Sequence, residues 1–325
     1  MSIRTAFTEL IGVEHPVVSA GMGGGGADGE LAGSVSAAGG LGVIGASWLD
    51  AEAVRGHVER ARELTASPIG VNLLLFGTEE LLEPVLELRP EVLSTAWPRD
   101  DQDLREIFAR AQERGAKVMH MVAALPDAVL AAQAGADVIV AQGTEGGGHV
   151  GEIGSSVLVR QVVKEVAPIP VIAAGGFADG AGLAAALALG ADGVLMGTRF
   201  LATVEAPASE SAKTAIVASD GHDTVLTTVP DTLGGRDWPG AWSRVTRTRF
   251  VEEWLGREPE LRRRRDEVRA RLAEARERGD SDYSTMWVGQ SAGLVDSILP
   301  AGELVRALVA EAEEILGVRL PGLLA

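Results

Sequence analysis

Apolar residues along the chain come in short blocks separated by longer amphipathic stretches. The blocks are HPVVSAG (15–21), LGVIGAS (41–47), IGVNLLL (69–75), EVLSTA (91–96), AKVMHMVA (116–123), ADVIVAQG (136–143), IPVIAAGG (169–176) and ADGVLMGT (191–198). Each has the length of a strand buried on both faces, which needs no polar alternation. The segments between them, such as DDQDLREIFARAQERG and FADGAGLAAALALG, have helical spacing and end in glycine, as helix C-termini often do. Ala-Gly-Gly-Leu-Gly, Gln-Ala-Gly-Ala-Asp and Ala-Leu-Gly-Ala-Asp recur at the helix-to-strand joints, like one unit used repeatedly. Eight strands with helices between them predict an α/β chain folded as a closed (β/α)8 barrel, preferred over an open doubly wound sheet.

Past residue 205 the pattern changes. TVLTTVP reads as a short strand, RDWPGAWSRV as a tryptophan-rich loop, and REPELRRRRDEVRARLAEARERG as one highly charged, solvated helix. GQSAGLVDSILPAGELVRALVAEAEEIL returns to an amphipathic helix able to close the barrel. The expected organisation is a barrel from 1–204 and 290–325, with 205–289 as a helical excursion over the barrel mouth.

Composition narrows the chemistry. The 325 residues are 46% hydrophobic, enough for a large core, and contain no cysteine. Disulfides, cysteine-held iron–sulfur clusters and thiolate nucleophiles are therefore excluded. Lys+Arg number 29 against 46 Asp+Glu, a net charge of −17 that disfavours nucleic acid and anionic membrane. No apolar stretch reaches membrane-spanning length, and MSIRTAFTEL lacks the apolar core of a signal peptide, so a cytoplasmic location is expected. His15, His57 and His222 are scattered without metal-ligand spacing, and no metal is expected.

In such barrels the reactive face lies at the C-terminal ends of the strands, with phosphate commonly near strands seven and eight. Gly175, Gly176, Gly197 and Thr198 would offer bare backbone N–H groups and one hydroxyl there. Gln142 ends strand six, where its amide can meet a ring edge. The loop AQGTEGGGHVG follows it: Gly146, Gly147 and Gly148 let a planar ligand pass close, with His149 just beyond. Glu145 and Glu152 read as solvated carboxylates. Gly21 and Met22, in SAGMGGGG, offer another close approach, with Met22 as an apolar contact beneath a flat ring. Asn72 is a polar amide in an apolar strand and needs a partner. His120, in VMHMV, reads as a core histidine.

AQGTEGGGHVG, PVIAAGGFADGAGLAAALALGADGVLMGTRFLAT and GQSAGL together resemble the nitronate monooxygenase family, formerly called 2-nitropropane dioxygenases. These are FMN-dependent (β/α)8-barrel enzymes, and the resemblance runs from about residue 8 to residue 320. It implies that Asn72, Gln142, Gly147, Gly176, Gly197 and Thr198 contact FMN, that Gly21 and Met22 lie beside the isoalloxazine, and that His149 is the active-site histidine. It further implies oxidation of an alkyl nitronate or nitroalkane by O2, to a carbonyl compound and nitrite. His149 would either hold the anionic nitronate as a cation or abstract an α-proton as a base. FMN-dependent enoyl-acyl-carrier-protein reductases, which use NAD(P)H, are similar through the same segments. The glutamine of AQGTE leans toward nitronate oxidation, since the reductases more often show AEGME. SAGMGGGG, where many monooxygenases carry alanine-proline-methionine, and Leu195, where a glutamine commonly precedes MGT, depart from the monooxygenase pattern. A barrel that binds flavin without catalysis is the remaining alternative. Trp238, Trp242 and Trp287 are candidates to wall an apolar pocket and Tyr283 to cap it. A homodimer is allowed for, and the oligomeric state is left open.

Overall fold

A computed structural model describes residues 3–236, 238, 240–280 and 282–323. Eight parallel strands close on themselves: β1 (Val17–Ser19), β2 (Leu41–Gly45), β3 (Ile69–Leu74), β4 (Val92–Ala96), β5 (Lys117–Val122), β6 (Val138–Gln142), β8 (Val171–Ala174) and β9 (Gly193–Met196). All eight lie within the apolar blocks named above. β1 pairs with β9 through Val18↔Leu195, which completes the ring. The expected (β/α)8 barrel is the observed fold.

The strands are apolar on both faces because both are covered. Inward residues such as Val43, Val140 and Ile172 pack on one another and on Phe7 and Ile11 of the helix Ala6–Ile11. Leu41, Val92 and Val138, each at the start of its strand, belong to the same cluster, so this helix plugs the N-terminal end of the barrel. A reciprocal cap between Thr5 and Thr8 fixes where it begins. Outward residues, including Val71, Leu93 and Ile139, meet the helical shell. The helix Ala301–Glu314 packs against helices Gly29–Ala37 and Gly180–Ala188, sealing the shell as expected.

Residues 205–289 depart from a purely helical excursion. They contain β10 (Thr224–Thr227) and β11 (Trp242–Thr246), paired antiparallel. β11 also pairs with β7 (Gly148–Val150), inside the glycine loop after β6. The last four residues of the segment read as the loop RDWPGAWSRV are therefore strand, and the loop carrying His149 is stitched to the excursion by backbone hydrogen bonds. The single charged helix is two, Glu258–Arg263 and Arg265–Glu277. Their apolar positions are not solvated: Leu261, Val268 and Ala275 join Phe250, Trp254 and Tyr283 in a separate small core.

Candidate active site

The glycine-rich segments converge at the C-terminal end of the barrel. Gly175 and Gly176 follow β8 with φ of 85° and 84°, a backbone that favours glycine. Gly197 and Thr198 follow β9, and Thr198 Oγ1 accepts a hydrogen bond from Gly289 N at 2.9 Å. Gln290 N donates to Glu145 O at 2.9 Å, so the distant GQSAGL segment lies against the GTEGGG loop. Gly147 serves that contact: a Cβ there would sit 2.5 Å from Gly289 N. Its bareness admits the chain itself, rather than leaving open space for a ligand.

Gly21 and Asn72 are matched in the same way, since a Cβ on Gly21 would lie 2.3 Å from Asn72 Cβ. Asn72 finds a partner in Ser94, opposite it in the β3–β4 register, with Nδ2 donating to Ser94 Oγ at 3.0 Å. Met22 Sδ stands 3.7 Å from where a Gly197 Cβ would be, so Met22 and the β9 turn share this mouth.

Two buried polar atoms have no partner among the described residues: Gln142 Oε1 at the end of β6, and Trp238 Nε1 in the excursion. An unpaired buried carbonyl oxygen is destabilising by about 1–3 kcal/mol and signals a missing donor. A flat heterocycle with ring N–H groups and a phosphate tail fits the set. Gln142 would meet the ring edge, and the Gly175–Gly176 and Gly197–Thr198 turns would meet the phosphate.

His149 sits on β7, half-buried, with Nε2 2.8 Å from Asp231 Oδ1 and 3.1 Å from Ser243 Oγ. The imidazole stacks on Trp238, with centroids 3.5 Å apart and planes 12° apart. Trp238 in turn contacts Phe76, after β3, and Trp97, after β4. Sequence reasoning placed His149 at the mouth and named Trp238, but missed Asp231 and Ser243. No local signal marks them, because Ser243 reaches His149 through the β7–β11 register and Asp231 from the helix Val229–Gly234, both far from it in sequence.

Other expectations are revised. Trp242 and Trp287 are exposed rather than packed into an apolar wall. Tyr283 packs edge-on to Phe250 and donates to Glu253 Oε2 at 3.0 Å within the excursion core, so it caps nothing at the mouth. Glu145 is a structural carboxylate, accepting bonds from Ser155 N and Oγ. His120 is the core histidine expected: it is buried against Phe108, bonds Thr95 Oγ1 at 2.8 Å, and desolvation pushes its pKa down to about 4. Among the described residues no His/Cys/Asp/Glu group could hold a metal ion, and no helix is long and apolar enough to cross a membrane.

The sequence model of the nitronate monooxygenase family matches residues 4–84 and 78–311. A probable nitronate monooxygenase of Staphylococcus aureus is 30% identical, spanning 96% of this chain and 98% of that protein. A Mycobacterium tuberculosis enzyme, (3aS,4S,5R,7aS)-5-hydroxy-7a-methyl-1-oxo-octahydro-1H-indene-4-carboxyl-CoA dehydrogenase, is 38% identical over 78% of this chain and 69% of its own length. Among solved structures, FabK from Thermotoga maritima superposes with a TM-score of 0.87 at 36% identity, over 99% of both chains. The nitroalkane oxidase of Streptomyces ansochromogenes gives 0.83 at 29% identity, over 97% of this chain and 100% of that one. Fold, mouth and relatives agree: the chain belongs to the nitronate monooxygenase family of flavin-dependent oxidoreductases.

Proposed function

We propose that the protein binds FMN at the C-terminal mouth of the barrel and oxidises alkyl nitronates with O2, giving carbonyl compounds and nitrite. The observation that carries this reading is the unpartnered Gln142 Oε1, buried beside the bare turns after β8 and β9. FMN supplies the electron transfer between the organic substrate and oxygen. The chain supplies the seat. Gln142 donates and accepts at the ring edge, Met22 supports the ring, and Asn72 completes the polar rim. Backbone N–H groups of Gly175, Gly176 and Gly197, with the Thr198 hydroxyl, hold the phosphate. Leu195 stands where the family commonly carries a glutamine before MGT, so Gln142 bears more of the recognition. His149 faces the substrate, and Trp238 with Phe76 and Trp97 excludes water from it.

A second reading is the NAD(P)H-dependent reduction of an acyl thioester, as in the enoyl-acyl-carrier-protein reductases that resemble the same segments; the 38% identity to a carboxyl-CoA dehydrogenase favours the thioester substrate. Anaerobic mixing of the FMN-loaded protein with propyl nitronate and, separately, with NADH distinguishes the two. The proposal expects rapid flavin bleaching by the nitronate. Bleaching by NADH with none by the nitronate would reject it in favour of the thioester reading.

A further inference from the structure

His149 and Asp231 are 82 positions apart, on β7 and on the helix Val229–Gly234, yet their side chains meet at 2.8 Å. Only 14% of the histidine side chain and 10% of the aspartate side chain are exposed. Ser243 stands opposite His149 in the β7–β11 register and donates from Oγ to Asp231 Oδ2 at 2.9 Å. The serine proton is thereby committed to the carboxylate. An ionised carboxylate only accepts, so the hydrogen between Asp231 and His149 belongs to the imidazole, at Nε2. A neutral ring in that tautomer keeps its lone pair on Nδ1. Every hydrogen bond His149 makes among the described residues runs through Nε2, which leaves Nδ1 open.

We propose that Asp231 is a positioning residue that holds His149 in the Nε2–H tautomer, so that Nδ1 acts as the base removing the α-proton of a neutral nitroalkane. This rests on the nitronate-oxidising reading above and assigns a positioning residue to the nitroalkane proton abstraction that the family resemblance implies. The α-carbon–hydrogen bond breaks, the proton moves to Nδ1, and the bonding pair shifts into the nitro group. The products are an alkyl nitronate and an imidazolium facing the Asp231 carboxylate. The same carboxylate argues against a simple anion anchor, since a cation already matched to an anion offers a nitronate little net charge. Trp238 lies parallel against one imidazole face, which limits reorientation of the ring and favours the cation once formed.

The test compares kcat/KM of the FMN-loaded protein on nitroethane and on preformed ethylnitronate. The unaltered protein should oxidise both, and deuterium on the nitroethane α-carbon should slow only the nitroethane reaction. An asparagine amide donating to Nε2 moves the ring proton to Nδ1. Asp231→Asn should therefore lower kcat/KM for nitroethane ~100-fold while leaving ethylnitronate within ~3-fold. Asp231→Glu should recover much of the nitroethane rate, and Ser243→Ala should lose roughly 10-fold on that substrate alone. Flavin content should stay constant through the series. Equal losses on both substrates in Asp231→Asn would overturn the assignment, as would an unaltered protein active only on ethylnitronate, which leaves the parent reading standing. Inactivity toward both substrates in the unaltered protein removes the parent reading and this one together.

Discussion

The two ends of the barrel are built from the same eight strands and opposite materials. At the N-terminal end Phe7, Ile11 and Val13 fill the interior against Leu41, Val92 and Val138, all buried and apolar. At the C-terminal end the strands run into glycine turns, an unpartnered glutamine and an imidazole–carboxylate pair. One end gains free energy by being complete in itself, whereas the other holds a buried glutamine oxygen with no partner among the described residues. A mutation should therefore act on stability or on function according to the end it touches.

Four measurements sharpen or break this contrast, in descending size of effect. Phe7→Ala empties the plug and should lower unfolding free energy by ~3–5 kcal/mol, seen in chemical denaturation, with little change in kcat. An unaltered midpoint would mean that the lower end is not what holds the barrel shut.

The barrel wall carries an acid-sensitive element in His120, whose pKa falls from the ordinary 6.5 to about 4 because burial disfavours its charged form. The unfolded chain takes up that proton first, so the stability is fully present above pH 6.5 and is lost as pH falls toward 4. The loss amounts to roughly 3 kcal/mol, and His120→Gln should flatten the stability curve across that window. Retention of the full pH slope in the variant would assign it to other groups.

At the mouth the signs reverse. His149→Asn should keep flavin and melting temperature yet lose ~100-fold in kcat/KM on nitroethane. Steady-state kinetics indistinguishable from the parent would remove His149 from the mechanism. The smallest effect is the most diagnostic. Gln142→Leu removes a buried unpaired oxygen, so the flavin-free protein should gain about 1 kcal/mol, while flavin Kd rises about tenfold. A flavin-free protein destabilised by this change would mean that Gln142 is already satisfied.

The eight barrel strands were legible because strands covered on both faces read as uninterrupted apolar blocks, with glycine at their ends. The mouth glycines and His149 were legible because a sequence rarely spends such residues after a buried strand without use for them. β7 was not, since Gly-His-Val is held by backbone pairing with β11 and has no apolar run of its own. Asp231 and Ser243 were invisible because they meet His149 from distant segments, Ser243 by strand register and Asp231 from the helix Val229–Gly234, which local composition does not encode. The division of the charged helix before Arg265 also lacked a marker, since neither proline nor glycine interrupts RRRRDEVRARL. Gly147 carries a second requirement that composition does not reveal, since a side chain there would also meet the backbone of Gly289.

The seam in the helical shell has a kinetic consequence. Gly29–Ala37 is made early, but one of its flanks waits for Ala301–Glu314, separated from it by most of the polypeptide. During vectorial synthesis that apolar flank has no native neighbour until residues 301–314 have been translated, which raises contact order and slows that docking step. Premature termination upstream of residue 301 would therefore leave a sticky, unsealed ring, making nascent truncated chains natural clients for chaperones and proteases.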